Sequence, residues 1–183
     1  DGTQQAVISG HGNVVTAIAW CGSELIATSG EDKTVRLWQR DGVLLKSISL
    51  EVGRINDLEW SRDLSRLAIA TGDPTIQFLT KTGELENPGP CEASVIQTLA
   101  FNEKDELATG GDDGRIRIWN SDGTQRISFK GHPSTVWSVS WSPSGNQLVS
   151  GSWNSSVCIW DTSGNKVAAL EGSSPSAWNP THD

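Results

Sequence analysis

The chain has 183 residues, 36% of them hydrophobic and 20% charged, and a formal net charge of −8. This is the composition of a folded protein, and the excess of acid argues against a phosphate-binding surface, which needs clustered Lys and Arg. No apolar run approaches the ~20 residues that cross a membrane as a helix, no charged-then-apolar leader opens the chain, and Cys21, Cys91 and Cys158, odd in number and without a CxxC pair, give neither a disulfide framework nor a zinc site.

In chain order, Asp1-Gly2-Thr3 reads as a turn leading into a strand at 3–8. Trp20 lies at the end of a first strand, and Val35-Arg36-Leu37-Trp38, with alternating character, is a later strand running into the turn at Asp41-Gly42. Trp60, Leu79 and Thr82-Gly83 repeat these landmarks, after which Glu84-Leu85-Glu86-Asn87-Pro88-Gly89-Pro90 is expected to be irregular. Phe101, Ile116-Arg117-Ile118-Trp119 and Asp122-Gly123 repeat them again. The last stretch is the plainest. A β-rich run holding Val136, Val139 and Trp141 ends at Ser142-Pro143-Ser144-Gly145, and Gln147–Ser150 begins a second strand. After a turn at Asn154-Ser155, Val157–Trp160 is a third, and past Ser163-Gly164-Asn165, Lys166–Leu170 is a fourth.

These landmarks keep a fixed step. Trp20, Trp60, Phe101 and Trp141 lie 40, 41 and 40 residues apart; Trp38, Leu79, Trp119 and Trp160 lie 41, 40 and 41 apart; the four glycine turns follow at 41, 40 and 41. Three series in phase mean one antiparallel meander of four strands copied four times. A period of about 40 to 45 residues is that of a propeller blade, a small sheet that buries its faces only by stacking on its neighbours.

The residues at these positions resemble the WD40 repeat family. The fourth copy has Gly131-His132, Trp141-Ser142-Pro143, Ser150-Gly151-Ser152 and Trp160-Asp161; the first has Gly10-His11, Trp20 and Asp32-Lys33-Thr34-Val35-Arg36-Leu37-Trp38. The resemblance implies an all-β propeller arc of about four four-stranded blades, a fragment of a seven-bladed or larger ring. It also implies a hydrogen-bonded tetrad in each blade: His11, Thr28, Asp32 and Trp38 in the first, His132, Ser150, Asn154 and Trp160 in the fourth, and Thr109, Asp113 and Trp119 in the third. Glu51 and Glu92 stand at the His position of blades two and three, where an ionised carboxylate has no proton to donate to an Asp. Blade two also has Ile69 and Leu79 at the Ser/Thr and Trp positions, so its polar network is expected to give way to packing.

The expected organisation is WD40 repeats over 1–172, with blades at about 9–50, 51–90, 91–130 and 131–172 after the strand at 3–8. Residues 173–183 would be the start of an incomplete fifth repeat, since Ala177-Trp178-Asn179-Pro180 resembles Ser140-Trp141-Ser142-Pro143. With no methionine anywhere, the chain reads as processed or as a piece of something longer. Uncovered blade faces at either end of such an arc are expected to make the isolated chain self-associate.

Seven of the nine tryptophans fall on the repeat framework; Trp137 and Trp153 do not. By the resemblance both belong to the face around the central channel, with Glu31, Arg54, Asn56 and Asp112 at corresponding places in the other blades. Two aromatics on one face make a binding hot spot. The sequence has no GxSxG, no HExxH and no phosphate-binding glycine loop. The expected function is therefore a non-catalytic scaffold, intracellular and without a cofactor, that binds other proteins or peptides rather than nucleic acid or membrane. The other reading is a regulatory or targeting propeller of a larger multidomain protein.

Overall fold

The computed structural model describes residues 7–86, 89, 94–154 and 156–171. Most of the strand expected at 3–8 lies outside them, and Val7 and Ile8 belong to no strand. Cys91, Glu92, Ser155, residues 87, 88 and 90, and the fifth-repeat segment with Trp178 lie outside as well.

The described residues form four antiparallel sheets, each a meander in chain order. The first holds β1 (Val15–Cys21), β2 (Leu25–Gly30), β3 (Thr34–Gln39) and β4 (Leu44–Ser49); the second β5 (Ile55–Trp60), β6 (Arg66–Thr71) and β7 (Gln77–Thr80). The third holds β8 (Ile96–Phe101), β9 (Leu107–Gly111), β10 (Arg115–Trp119) and β11 (Gln125–Lys130); the fourth β12 (Val136–Trp141), β13 (Gln147–Ser152), β14 (Ser156–Asp161) and β15 (Lys166–Glu171). No helix of the described residues is long and apolar enough to cross a membrane.

The glycine turns are hairpin tips. The N–H groups of Gly42, Gly83, Gly123 and Gly164 bond the carbonyls of Gln39, Thr80, Asn120 and Asp161 at 2.9–3.0 Å. Each of these glycines has φ between 74° and 92°, a backbone that a Cβ would strain.

The core lies between sheets rather than within one. Ala27, Val35 and Leu37 of blade one share a buried cluster with Ile55, Leu58, Leu67, Ile69 and Leu79 of blade two. Ala68, Ile76 and Phe78 meet Leu99, Leu107 and Trp119 across the next joint. Ile116 and Ile118 meet Val139, Leu148 and Trp160 across the last. Each fully buried Leu or Ile contributes about 1.5–3 kcal/mol, so the blades stabilise one another. The first strands β1, β5, β8 and β12 touch in succession, which makes them the inner edge of the arc. At its start the pattern is open: Trp20 is 54% exposed, whereas its counterparts Trp60 and Trp141 are buried.

Blade two departs from the plan as its sequence foretells. Ile69 and Leu79 are fully buried in the cluster with blade one, so apolar packing stands where a Thr–Trp pair would be. Among the described residues, a bridge from Leu79 to Leu85 stands where the other blades have a fourth strand, followed by the bonds Glu86 N–H to Phe78 O and Gly89 N–H to Ile76 O.

The joints also use their tryptophans differently. Trp141 Nε1–H donates to Ala100 O of the preceding blade at 3.0 Å, while the buried Nε1–H of Trp60 has no acceptor. Trp141→Phe should therefore cost about 1 kcal/mol more than Trp60→Phe, which removes an unsatisfied donor along with its ring area. Urea unfolding of the two variants measures this, and equal losses would refute it. Blade three already has Phe101 at this position.

Candidate functional site

One end of every sheet is built by the same two devices. First, a backbone bond ties the turn after the second strand to the approach of the first: Glu31 N–H to Val14 O, Gly72 N–H to Arg54 O, Asp112 N–H to Val95 O and Trp153 N–H to Thr135 O, all 2.7–3.1 Å. Second, the pairing of first and second strands shifts once in each blade, between Val15 and Ala17, Ile55 and Asp57, Ile96 and Thr98, and Val136 and Ser138. Each shift leaves one extra residue in the first strand: Thr16, Asn56, Gln97 and Trp137. A bulge bends its strand and re-aims the extra side chain, so these four residues occupy equivalent bulged places at the same end of the arc.

Three of the four bulge residues are used internally. Thr16 Oγ1 meets Ser29 Oγ at 2.9 Å; Asn56 Nδ2 donates to Ile96 O at 2.8 Å; Gln97 Nε2 donates to Asp112 Oδ1 at 2.8 Å. Trp137 instead lies against Trp153, ring centroids 5.7 Å apart and planes 46° apart. Trp137 is 43% exposed and Trp153 72%. Of the residues singled out with them, Asn56 and Asp112 are thus committed to the framework, joining blade two to blade three and closing the end of blade three. Arg54 and Glu31 are exposed, and neither side chain has an ion pair among the described residues. The bulges have no mark in the repeat period, because all four blades carry one at the same place.

The polar network of blade one joins all four residues the sequence assigns to it. His11 Nδ1 is 3.0 Å from Asp32 Oδ1, His11 Nε2 is 2.7 Å from Thr28 Oγ1, and Trp38 Nε1–H donates to Thr28 Oγ1 at 2.8 Å. Burial opposes the charge on Asp32, but bonds from Gly12 N–H, Thr34 and His11 outweigh it and hold the carboxyl well below its ordinary range. Blade four differs by one link. His132 Nε2 meets Ser150 Oγ and Trp160 Nε1–H donates to the same oxygen, both at 2.7 Å. His132 Nδ1, however, meets Ser156 Oγ at 3.0 Å, and Ser156 in turn donates to Asn154 Oδ1 at 2.8 Å. Asn154 therefore enters through Ser156 rather than touching the ring. Burial, and then the charge of Lys166, lowers the His132 pKa to about 4, so the ring is neutral at physiological pH.

Blade three keeps Trp119 Nε1–H on Thr109 Oγ1 at 3.1 Å. Its Asp113 is held by Arg117, whose Nη2 lies 2.6 Å from Oδ2, and by Arg115 N–H at 3.0 Å. Arg117 is only 5% exposed. The sequence reading missed it, although its signal was present: Arg36 and Arg117 each lie four residues after the tetrad Asp. In blade one Arg36 sits farther from Asp32, at 3.5 Å, because His11 already holds that carboxylate. Both described histidines are thus absorbed in structural networks. Among the described residues no His, Cys, Asp or Glu cluster is arranged to hold a metal ion.

With this geometry in view, the likeness to known proteins is specific. The chain is 26% identical over 166 residues to the serine-threonine kinase receptor-associated protein of Gallus gallus, covering 90% of this chain and 47% of that one. It is 30% identical over 145 residues to protein Notchless of Drosophila melanogaster, covering 74% and 28%. The chain thus spans about half the length, or less, of these relatives. Its fold matches the crystal structure of the computationally designed Ika4 protein with a TM-score of 0.75 at 22% identity, over 88% of this chain and 99% of that one. The family model "WD domain, G-beta repeat" matches residues 2–39, 84–120 and 123–161, passing over the blade that has lost its polar network. Those three matches take in well over half of the chain, and the protein belongs to the WD40 repeat family.

Proposed function

We propose that this protein is a non-catalytic interaction scaffold that binds partner proteins or peptides at the end of the arc carrying Trp137 and Trp153. The observation that carries the reading is the exposed tryptophan pair itself. At the bulge where the other blades place a Thr, Asn or Gln that bonds to the framework, blade four places a part-exposed indole whose ring lies against a second, more exposed one. Two such rings present a large apolar area with few rotatable bonds and N–H donors at their edges, the chemistry of an interface anchor. Exposed Arg54 and Glu31, at related places in blades two and one, supply charge of both signs for a rim. The net charge of −8 favours protein partners over nucleic acid. Buried free thiols at Cys21 and Cys158 accord with an intracellular location.

A partner recovered by the intact protein in a pull-down should lose about 30-fold in affinity on Trp137→Ala or Trp153→Ala, the ~2 kcal/mol of an interface hot spot. Folding stability should change little for Trp153→Ala, since most of that side chain is already in water. Undiminished binding by both folded variants would exclude the face. The second reading is a regulatory or targeting propeller within a larger multidomain protein. Domains found beside the propeller in the full-length protein would decide for it.

A further inference from the structure

A cleft of about 700 Å³ opens between blades two and three, away from the tryptophan pair. Its origin is visible by comparison with the other two joints. At the first joint, the tip of blade two packs on the fourth strand of blade one: a Cβ at Gly83 would lie 2.9 Å from Lys46 Cδ and 3.1 Å from Ile48 Cδ1, and Lys46 Nζ donates to Thr82 O at 3.1 Å. At the last joint, a Cβ at Gly164 would lie 2.8 Å from Phe129 Cδ1 and 3.1 Å from Ile127 Cδ1, and Arg126 Nη2 donates to Thr162 O at 2.9 Å. The corresponding tip of blade three is bare, with nothing within 4 Å of a Cβ at Gly123.

The sequence explains the gap. The pairs Trp38–Leu44, Trp119–Gln125 and Leu79–Leu85 are equivalent. Four residues further on stand Ile48, Phe129 and Gly89. Gly89 thus occupies the sealing position without a side chain to seal with. Arg66, coming from β6, takes over the polar half of the missing contact: it donates to Ser121 O at 2.9 Å and lies over the Phe78 ring at 4.8 Å. Among the described residues the apolar half has no replacement. Phe78, Phe101 and Trp119 line the cleft, and Leu85 at its wall is 58% exposed. Glu86, Asp105 and Asp122 also line it, three carboxylates against the one guanidinium already engaged.

We infer that this cleft is a second docking site, taking a large apolar side chain from an extended partner segment that also carries Lys or Arg. The chain's own solutions at the sister joints define that chemistry: Lys46 with Ile48, and Arg126 with Ile127 and Phe129, each pair an apolar plug and a cation from one strand. The acidic lining selects the same combination by charge. The site is independent of Trp137 and Trp153.

The probe is a fluorescein-labelled hexapeptide with the sequence of Gln125–Lys130, added to the full chain and followed by anisotropy. Saturable binding is expected, weakened about fivefold or more by Leu85→Ser, by Glu86→Lys and by alanine at the peptide's Phe, and unchanged by Trp137→Ala. Leu85 and Glu86 lie at the edge of the sheet, and circular dichroism verifies that their variants fold. Absence of saturable binding overturns the inference. So does equal affinity for the wild type and both cleft variants, which would mean that the peptide exchanges with β11 instead.

Discussion

Arg117→Ala should cost about 3–5 kcal/mol of folding stability, far more than its surface-like residue type suggests. Arg117 is buried, and its guanidinium is the nearest cation to an Asp113 carboxyl that also holds the turn into β10 through Arg115 N–H. Burial opposes ionisation of Asp113, but the Arg117 bond, the Arg115 N–H and the charges of both arginines together keep the carboxyl below its ordinary range. Truncating Arg117 leaves the carboxylate short of its counter-charge and leaves a cavity beside Thr109 and Trp119. Arg36→Ala is the internal control. Asp32 keeps His11, Gly12 N–H and Thr34 as partners, and the Nε of Arg36 is buried without an acceptor, so the loss should be about 1 kcal/mol. Chemical denaturation of both variants tests the comparison; similar losses would show that Arg117 has not taken over the role of the missing histidine.

Glu59→Gln should stabilise the protein at pH 8 by about 1–3 kcal/mol and make the slope of its stability against pH more positive. Glu59 stands on β5 where blades one, three and four have Ala19, Ala100 and Ser140. Burial, and then repulsion from Asp57, lifts its pKa to about 7, with Arg62 only partly opposing. Asp57, two residues earlier on the same face, is itself pushed upward by burial, although Leu99 N–H and Leu58 N–H bond its carboxylate. A carboxyl whose folded pKa is raised from 4.5 to about 7 favours the fold in its protonated form. Its contribution is complete below pH 4.5 and is lost as pH rises to about 7. His132 has the opposite sign. With its pKa lowered from 6.5 to about 4, its contribution is complete above pH 6.5 and is lost as pH falls towards 4. The two slopes oppose each other between those limits, so removing Glu59 should make the change of stability with pH more positive across that window. Melting temperatures of wild type and Glu59→Gln at pH 5 and pH 8 provide the test; a variant no more stable than wild type at pH 8 would contradict it.

The repeat period carried the architecture because a propeller blade ties strand, turn and interblade packing to one spacing. Trp20, Trp60, Phe101 and Trp141 close first strands, and Gly42, Gly83, Gly123 and Gly164 turn into fourth strands or their remnant. The polar networks were legible where a histidine announces them, at His11 and His132. They were illegible where another residue type supplies the same bond: Arg117 holds Asp113 from the third strand, and Ser156 stands between His132 and Asn154. The tryptophan pair emerged by subtraction from the period, but its contact is a matter of side-chain direction, set by a bulge common to all four blades. The cleft between blades two and three was hidden for a different reason. It arises from what Gly89 lacks, and a missing side chain has a meaning only once the register of its strand is known.

That bare glycine tip also bears on how the arc carries mechanical load. At the first and last joints, the tip of one hairpin is clasped by the outermost strand of the blade before it, so each pair of blades is fastened at both inner and outer edges. Blades two and three meet through β5 and β8 at the inner edge, through the buried cluster of Ile76, Phe78, Leu99 and Trp119, through Arg62, which reaches Glu103 and Asp105, and through the Arg66–Ser121 bond. Load across this joint therefore passes through inner strands, a buried cluster and two arginines, where the other joints also clasp a glycine tip.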